Sequence, residues 1–157
     1  MRRAEREITD IVEILDIIER CEVCRVAFFD DEYPYLIPLS FGYRHHSHDN
    51  RLELYFHSAG TGKKLELLER NNQVAFEMDI LEETKLSSTA CKSGMVYESV
   101  CGTGVISVVA SEHKREALTA IMRHYQPEGH LVFEETTIEN TLVLKLAVHS
   151  ITAKRSS

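Results

Sequence analysis

The chain has 157 residues, 43% of them hydrophobic and 27% charged, and a formal net charge of −7. That length favours one domain over residues 1–157, able to bury a core without disulfides or a structural metal, and the acidic balance argues against a nucleic-acid or anionic-membrane surface. No apolar run reaches the ~20 residues of a membrane span, the opening MRRAEREITD leads into no apolar leader segment, and Cys21, Cys24, Cys91 and Cys101 read as free thiols of a cytoplasmic protein.

Thr9 to Arg20 predicts a helix, with Thr9 or Asp10 as its cap and Ile8, Ile11, Val12, Leu15 and Ile18 at helical spacing. VCRVAFF (Val23–Phe29) then switches to β-branched and aromatic residues, and Asp30-Asp31-Glu32 ends it in a polar turn. YLIPLSFGY (Tyr35–Tyr43) alternates, and so does LELYFHS (Leu52–Ser58); with Val23–Phe29 they predict an antiparallel meander. Pro38 removes a ladder donor, so its strand belongs at an edge or carries a bulge.

Lys63 to Arg70 predicts a short helix with Leu65, Leu67 and Leu68 on its apolar side, and Gln73–Asp79 another strand. ILEETKLSSTACKSG has no clean period and is expected to be loop. Met95–Val109 is a long strand interrupted by Gly102 and Gly104, which suggests a bulge, a barrel bend or the close approach of another backbone or ligand. Ser111 can cap a helix through Tyr125 with Ala117, Ala120, Ile121 and Tyr125 on one side. A loop around Pro127 and Gly129 leads to a final strand, Thr141–Thr152. Six strands joined mainly by short turns, with three helices, favour a closed antiparallel barrel over βαβ units.

The segment HSAGTGKK places Lys63 and Lys64 at the start of a helix, where the dipole favours acidic residues by roughly 0.3–1 kcal/mol each. It is no nucleotide-triphosphate loop, because Lys64 stands where Ser or Thr is required and His57 where the first glycine should be. An anion site remains open. Gly60, Thr61 and Gly62 let backbone N–H groups turn inward at a helix start, and His57, Ser58, Lys63 and Lys64 offer donors worth about 1.5–3 kcal/mol per charged hydrogen bond. The competing reading is a glycine-rich turn with two solvated lysines. Cys21-x-x-Cys24 lacks the second pair of a zinc site and the setting of a redox pair, so both are expected to be buried small apolar residues. His45, His46, His48 and Asp49 read as a solvated hairpin tip, with no metal site, and Arg123 and His124 suit a helix C-terminus by charge alone.

Taken in order, VCRVAFFDDEYPYLIPLSFGY, LYFHSAGTGKKLELL, ESVCGTGVI, KREALTAIMRHY and ITAKRS resemble the split-barrel flavoproteins related to pyridoxamine 5′-phosphate oxidase, above all the branch of the 5-nitroimidazole-resistance (Nim-like) proteins. The resemblance implies a mainly β (α+β) fold: a six-stranded antiparallel split β-barrel of Greek-key type with flanking helices. It also implies a homodimer with FMN at the subunit interface. Pro38, Leu39, Ser40, Phe41, Gly42 and Tyr43 would lie along the isoalloxazine ring, and His57, Ser58 and Ala59 would follow the ribityl chain. Gly62, Lys63 and Lys64 would hold the phosphate, and Ser99, Cys101 and Gly102 would reach the flavin from the second subunit. The implied activity is an FMN-dependent oxidoreduction of a small oxidised molecule such as a nitroaromatic, with flavin storage or sensing as the alternative. His57 is the one nearby group suited to proton delivery, with a cofactor-positioning hydrogen bond as its other role. Two departures stand out. The chain has no Trp and only Arg155 near its end, against a substrate motif of tryptophan and arginine in the vitamin-B6 oxidases, and Ser40 stands where related sequences often carry Asn.

Overall fold

The computed structural model describes residues 4–156. Its elements in chain order are β1 (Glu7–Ile8), α1 (Ile11–Arg20), β2 (Cys24–Phe28), β3 (Tyr35–Leu39), β4 (Gly42–His46), β5 (Arg51–Ser58), α2 (Lys63–Arg70), β6 (Gln73–Lys85), β7 (Gly94–Val108), α3 (Lys114–Tyr125), α4 (Glu135–Asn140) and β8 (Leu142–Ser156). One antiparallel sheet runs β3-β2-β6-β7-β8-β5-β4, with β1 added against β8. Its two edges, β3 and β4, are consecutive in the chain and joined only through Ser40 and Phe41. The barrel is therefore split along that seam, a mainly β fold with flanking helices as expected.

The strand count is eight rather than six. Besides the short β1, the difference arises because Tyr35–Tyr43 is not one strand. β3 pairs with β2, β4 pairs with β5, and no ladder joins β3 to β4, so the expected meander is two hairpins on opposite edges. Pro38 sits opposite Arg25 on the edge strand β3, where a missing donor costs little. The stretch expected to be loop after Asp79 is instead a hairpin, since β6 and β7 stay paired out to Lys85 and Gly94. A register shift at Leu81/Glu83 breaks the alternation, and residues 81–95 are exposed throughout, so no buried face existed to imprint a period.

Val26, Phe28, Leu54, Phe56, Phe76, Met78, Val100, Ile106, Leu144 and Leu146 fill the interior. Helix α1 closes one end. Asp10 caps it, its carboxylate accepting the Val12 N–H at 2.7 Å. The helix buries Ile14, Ile17 and Ile18 while Val12 is 71% exposed, so its inward face is rotated from the one that included Val12. Each buried isoleucine contributes about 1.5–3 kcal/mol. The buried Glu98 of β7 is tied to Arg20 of α1 and Arg155 of β8, which docks α1 across the sheet. A second cluster lies outside the barrel, where Ala117 and Ile121 of α3 cover Tyr55 and Val143.

Candidate functional site

The β5–α2 junction follows from its residues. Ser58 ends β5 opposite Leu142 and its hydroxyl donates to the Ala59 carbonyl at 2.7 Å. Gly62 then starts α2 with φ +126°, a backbone state that excludes ordinary side chains. Its carbonyl accepts the Leu65 N–H at 2.9 Å, and among the described residues the Lys63 and Lys64 N–H groups meet no acceptor in the chain. The junction thus presents two open amides at a helix N-terminus, the arrangement that favours an anion.

The two lysines differ. Lys63 Nζ lies 2.5 Å from Asp30 Oδ2, on the β2–β3 turn, and 5.3 Å from the centre of the Tyr35 ring. That hydrogen bond raises the Lys63 pKa and lowers that of Asp30. Lys64 is half-buried and, among the described residues, has no carboxylate within ion-pair distance. One of the two cations therefore has an internal counter-charge that the sequence did not reveal.

The β3–β4 junction is held by tertiary contacts. Phe41 is fully buried and donates its N–H to the Tyr125 hydroxyl at 3.0 Å, while that hydroxyl donates to the Glu22 carbonyl at 2.8 Å. His124 donates through Nε2 to the Cys21 carbonyl at 2.7 Å, its ring centre lies 4.3 Å from that of Phe41, and its buried Nδ1 has no partner. A side chain at Gly42 would put its Cβ 2.3 Å from the Ala120 carbonyl oxygen, so this glycine exists to let α3 approach. Tyr43 follows, its phenol pushed up by burial and by the carboxylate of Glu19. Sequence reading assigned the end of α3 only a favourable charge; His124 and Tyr125 are pins between α3, the α1–β2 link and the seam. No spacing signals such a role, since their partners are main-chain atoms of distant residues.

Between this seam, α3 and α4 lies a cleft of about 660 Å³. It brings together two predicted residues, Ser40 and His57, and adds Ile121, Met122 and Tyr125 of α3 with Ile138 of α4. Helix α4 was expected to be loop; six residues with one buried position, Ile138, are too short to show a period. The other predicted residues do not line this cleft. Pro38 is exposed and Leu39 half-buried on β3, and Ala59 is exposed beyond β5. Ser99, Cys101 and Gly102 lie on β7, two strands from β5 and three from β3. The Ser99 hydroxyl is buried without a partner. Burial and the nearby Glu77 charge raise the Cys101 thiol pKa. The space beside Gly102 is taken by the Phe76 ring and the Ser150 carbonyl.

The remaining motifs resolve elsewhere. Cys21 and Cys24 are buried and unbonded, and burial pushes the Cys21 thiol up to about 12, which leaves it inert as a nucleophile. The hairpin histidines go to separate partners, His45 to Asn50, His46 to Glu53 and His48 to Asp49. Among the described residues no group of three His, Cys, Asp or Glu side chains converges as a metal site would. No described helix is long and apolar enough to cross a membrane.

Comparison with known proteins completes the picture. The profile of the family described as pyridoxamine 5′-phosphate oxidase matches residues 10–155. A candidate 5-nitroimidazole antibiotic resistance protein from Bacteroides thetaiotaomicron is 33% identical, with 95% of this chain and 86% of that one covered and a TM-score of 0.79. An FAD- and haem-binding protein from Mycobacterium smegmatis is 22% identical, with 97% and 74% covered and a TM-score of 0.81. A flavocytochrome from Azotobacter vinelandii is 16% identical, with 100% and 72% covered and a TM-score of 0.79. No curated protein matches.

Proposed function

Since the chain belongs to the pyridoxamine 5′-phosphate oxidase family, in its 5-nitroimidazole-resistance-like branch, we propose that it is an FMN-dependent oxidoreductase acting on a small oxidised substrate. The observation that carries this reading is the β5–α2 junction, where two helix amides and the half-buried Lys64 have no partner among the described residues. A phosphomonoester, with close to two negative charges and three acceptor oxygens, suits that donor set. Two of the structural relatives are a flavocytochrome and an FAD-binding protein, which supports a flavin in this fold.

The residues fit the phosphate end better than the ring end. Gly62, Lys63 and Lys64 would hold the phosphate, once Lys63 turns from Asp30, and His57, Ser58 and Ala59 would follow the ribityl chain. The strand from Pro38 to Tyr43 would carry the ring. Its other side needs a second copy of the chain, and the exposed Cys101 supports β7 as the contributor. Bound FMN supplies the electron- and hydride-transfer chemistry. His57, in the cleft beside Ser40, can orient the cofactor or hold a proton there. Vitamin-B6 oxidation is not favoured: Arg155 is committed to Glu98 and Glu13 instead of facing a substrate.

Purified protein should be yellow and release FMN on denaturation; a colourless protein that takes up no flavin, or one that releases only haem or FAD, would overturn the reading. Lys63→Ala with Lys64→Ala should weaken FMN binding by several kcal/mol, on the scale of about 1.5–3 kcal/mol per charge-assisted contact, and leave riboflavin binding unchanged. Light scattering should give a dimer, and a monomer at micromolar concentration would remove the shared site. Stopped-flow oxidation of the reduced protein separates turnover from storage, since a pure carrier reacts with no acceptor faster than with oxygen.

A further inference from the structure

The cleft between α3 and α4 has the size of a small-molecule site and a lining that is more apolar than polar. Ser40 and His57 supply hydrogen-bonding groups at the seam and on β5, Tyr125, Thr137 and Thr141 add hydroxyls on the helix side, and Met122, Phe133 and Ile138 belong to the apolar body. Among the described residues neither lysine nor arginine lines it, and Glu134 is the one carboxylate. A phosphorylated or carboxylated molecule entering here would lose hydration with no lysine or arginine to replace it and with the Glu134 carboxylate nearby, a cost that scales steeply with charge. An uncharged ring loses little and gains apolar contact.

We propose that this cleft is the substrate site and that it selects uncharged, flat, largely apolar molecules with one hydrogen-bonding end, held with that end toward Ser40 and His57. The proposal rests on the flavin reading only in calling the occupant a substrate, because Ser40 and His57 belong to both sites. The choice of an uncharged molecule rests on the lining alone. It separates this cleft from the β5–α2 junction, which is built for an anion, so one chain carries an anion site and an anion-rejecting site on either side of His57. Met122 and Phe133 are then the specificity-determining residues, and α4 is the wall that makes the cleft a cavity instead of an open face.

The test uses a matched pair of probes on the full chain, 1-naphthol and 1-naphthyl phosphate, with binding followed by naphthyl fluorescence or saturation-transfer NMR. Wild-type protein saturated with FMN, so that the junction is filled, should bind 1-naphthol at least tenfold tighter than its phosphate ester. Met122 is 39% exposed, so Met122→Arg places a cation in the cleft without cutting the core and should reverse that preference. Thr137→Trp should reduce 1-naphthol binding at least fivefold by occupying the space. Equal binding of the two probes by the wild type, or a preference that Met122→Arg does not move, overturns the proposal. Flavin content measured on the same samples keeps the two readings apart: a chain that selects 1-naphthol yet never binds flavin retains the cleft and loses the oxidoreductase, and the reverse result does the opposite.

Discussion

The seam between β3 and β4 and the junction between β5 and α2 both turn the chain at a glycine, yet different forces demand the two glycines. At the seam, Gly42 is buried against the Ala120 carbonyl, and Phe41 is gripped by Tyr125 and His124. At the junction, Gly62 has nothing within 4 Å of where a side chain would stand, and its φ of +126° is the constraint. One glycine serves a packing contact between elements far apart in sequence; the other serves a local backbone state that leaves amides open. A rigid wall and a turn with open amides are what the proposed cofactor, with its flat ring and charged tail, would require.

Five substitutions test that contrast. Gly42→Ala should be the most damaging, because the new methyl meets backbone and α3 must move; a loss of roughly 3 kcal/mol in urea unfolding is expected. A loss below about 0.5 kcal/mol would mean that α3 is not fixed against the seam. Next comes Glu53, on the α3-covered side of β5. Burial works against its charge, but hydrogen bonds from Tyr55, His46 and Lys145 prevail and hold its pKa at about 2, against the ordinary 4.5. A carboxylate lowered in the folded state contributes stability above its ordinary pKa and loses it as pH falls toward 2. Glu53→Gln should therefore cost on the order of 2–3 kcal/mol at pH 7, with the gap to wild type closing between pH 4.5 and 2. A gap independent of pH would show that shape and not charge matters there.

Tyr125→Phe should cost about 2 kcal/mol, since the Phe41 N–H and Glu22 carbonyl both lose their partner. A neutral result would leave His124 as the working pin. Smallest is the local pair at the junction. Gly62→Ala should cost about 1–2 kcal/mol from backbone strain, whereas Gly60→Ala, with nothing within 4 Å and no positive φ, should stay below about 0.5 kcal/mol. Equal effects at both positions would remove the claim that the φ of Gly62 shapes this turn.

The sequence alone determined most of the elements, because strands and helices that bury one face write their period into it: α2 is legible residue by residue and β5 to within one residue. It also determined the anion-favouring turn, since Gly60-Thr61-Gly62-Lys63-Lys64 is local chemistry at a helix start. Tertiary structure alone decided that Tyr35–Tyr43 breaks into two edge strands, that Asp30 takes the Lys63 ammonium, that Tyr125 fastens Phe41, and that a short α4 walls a cleft over Ser40 and His57. Each of these joins residues distant in the chain through a main-chain atom, a lone charge or an exposed surface. None of those leaves a repeat in the order of side chains, so only the folded molecule could bring them together.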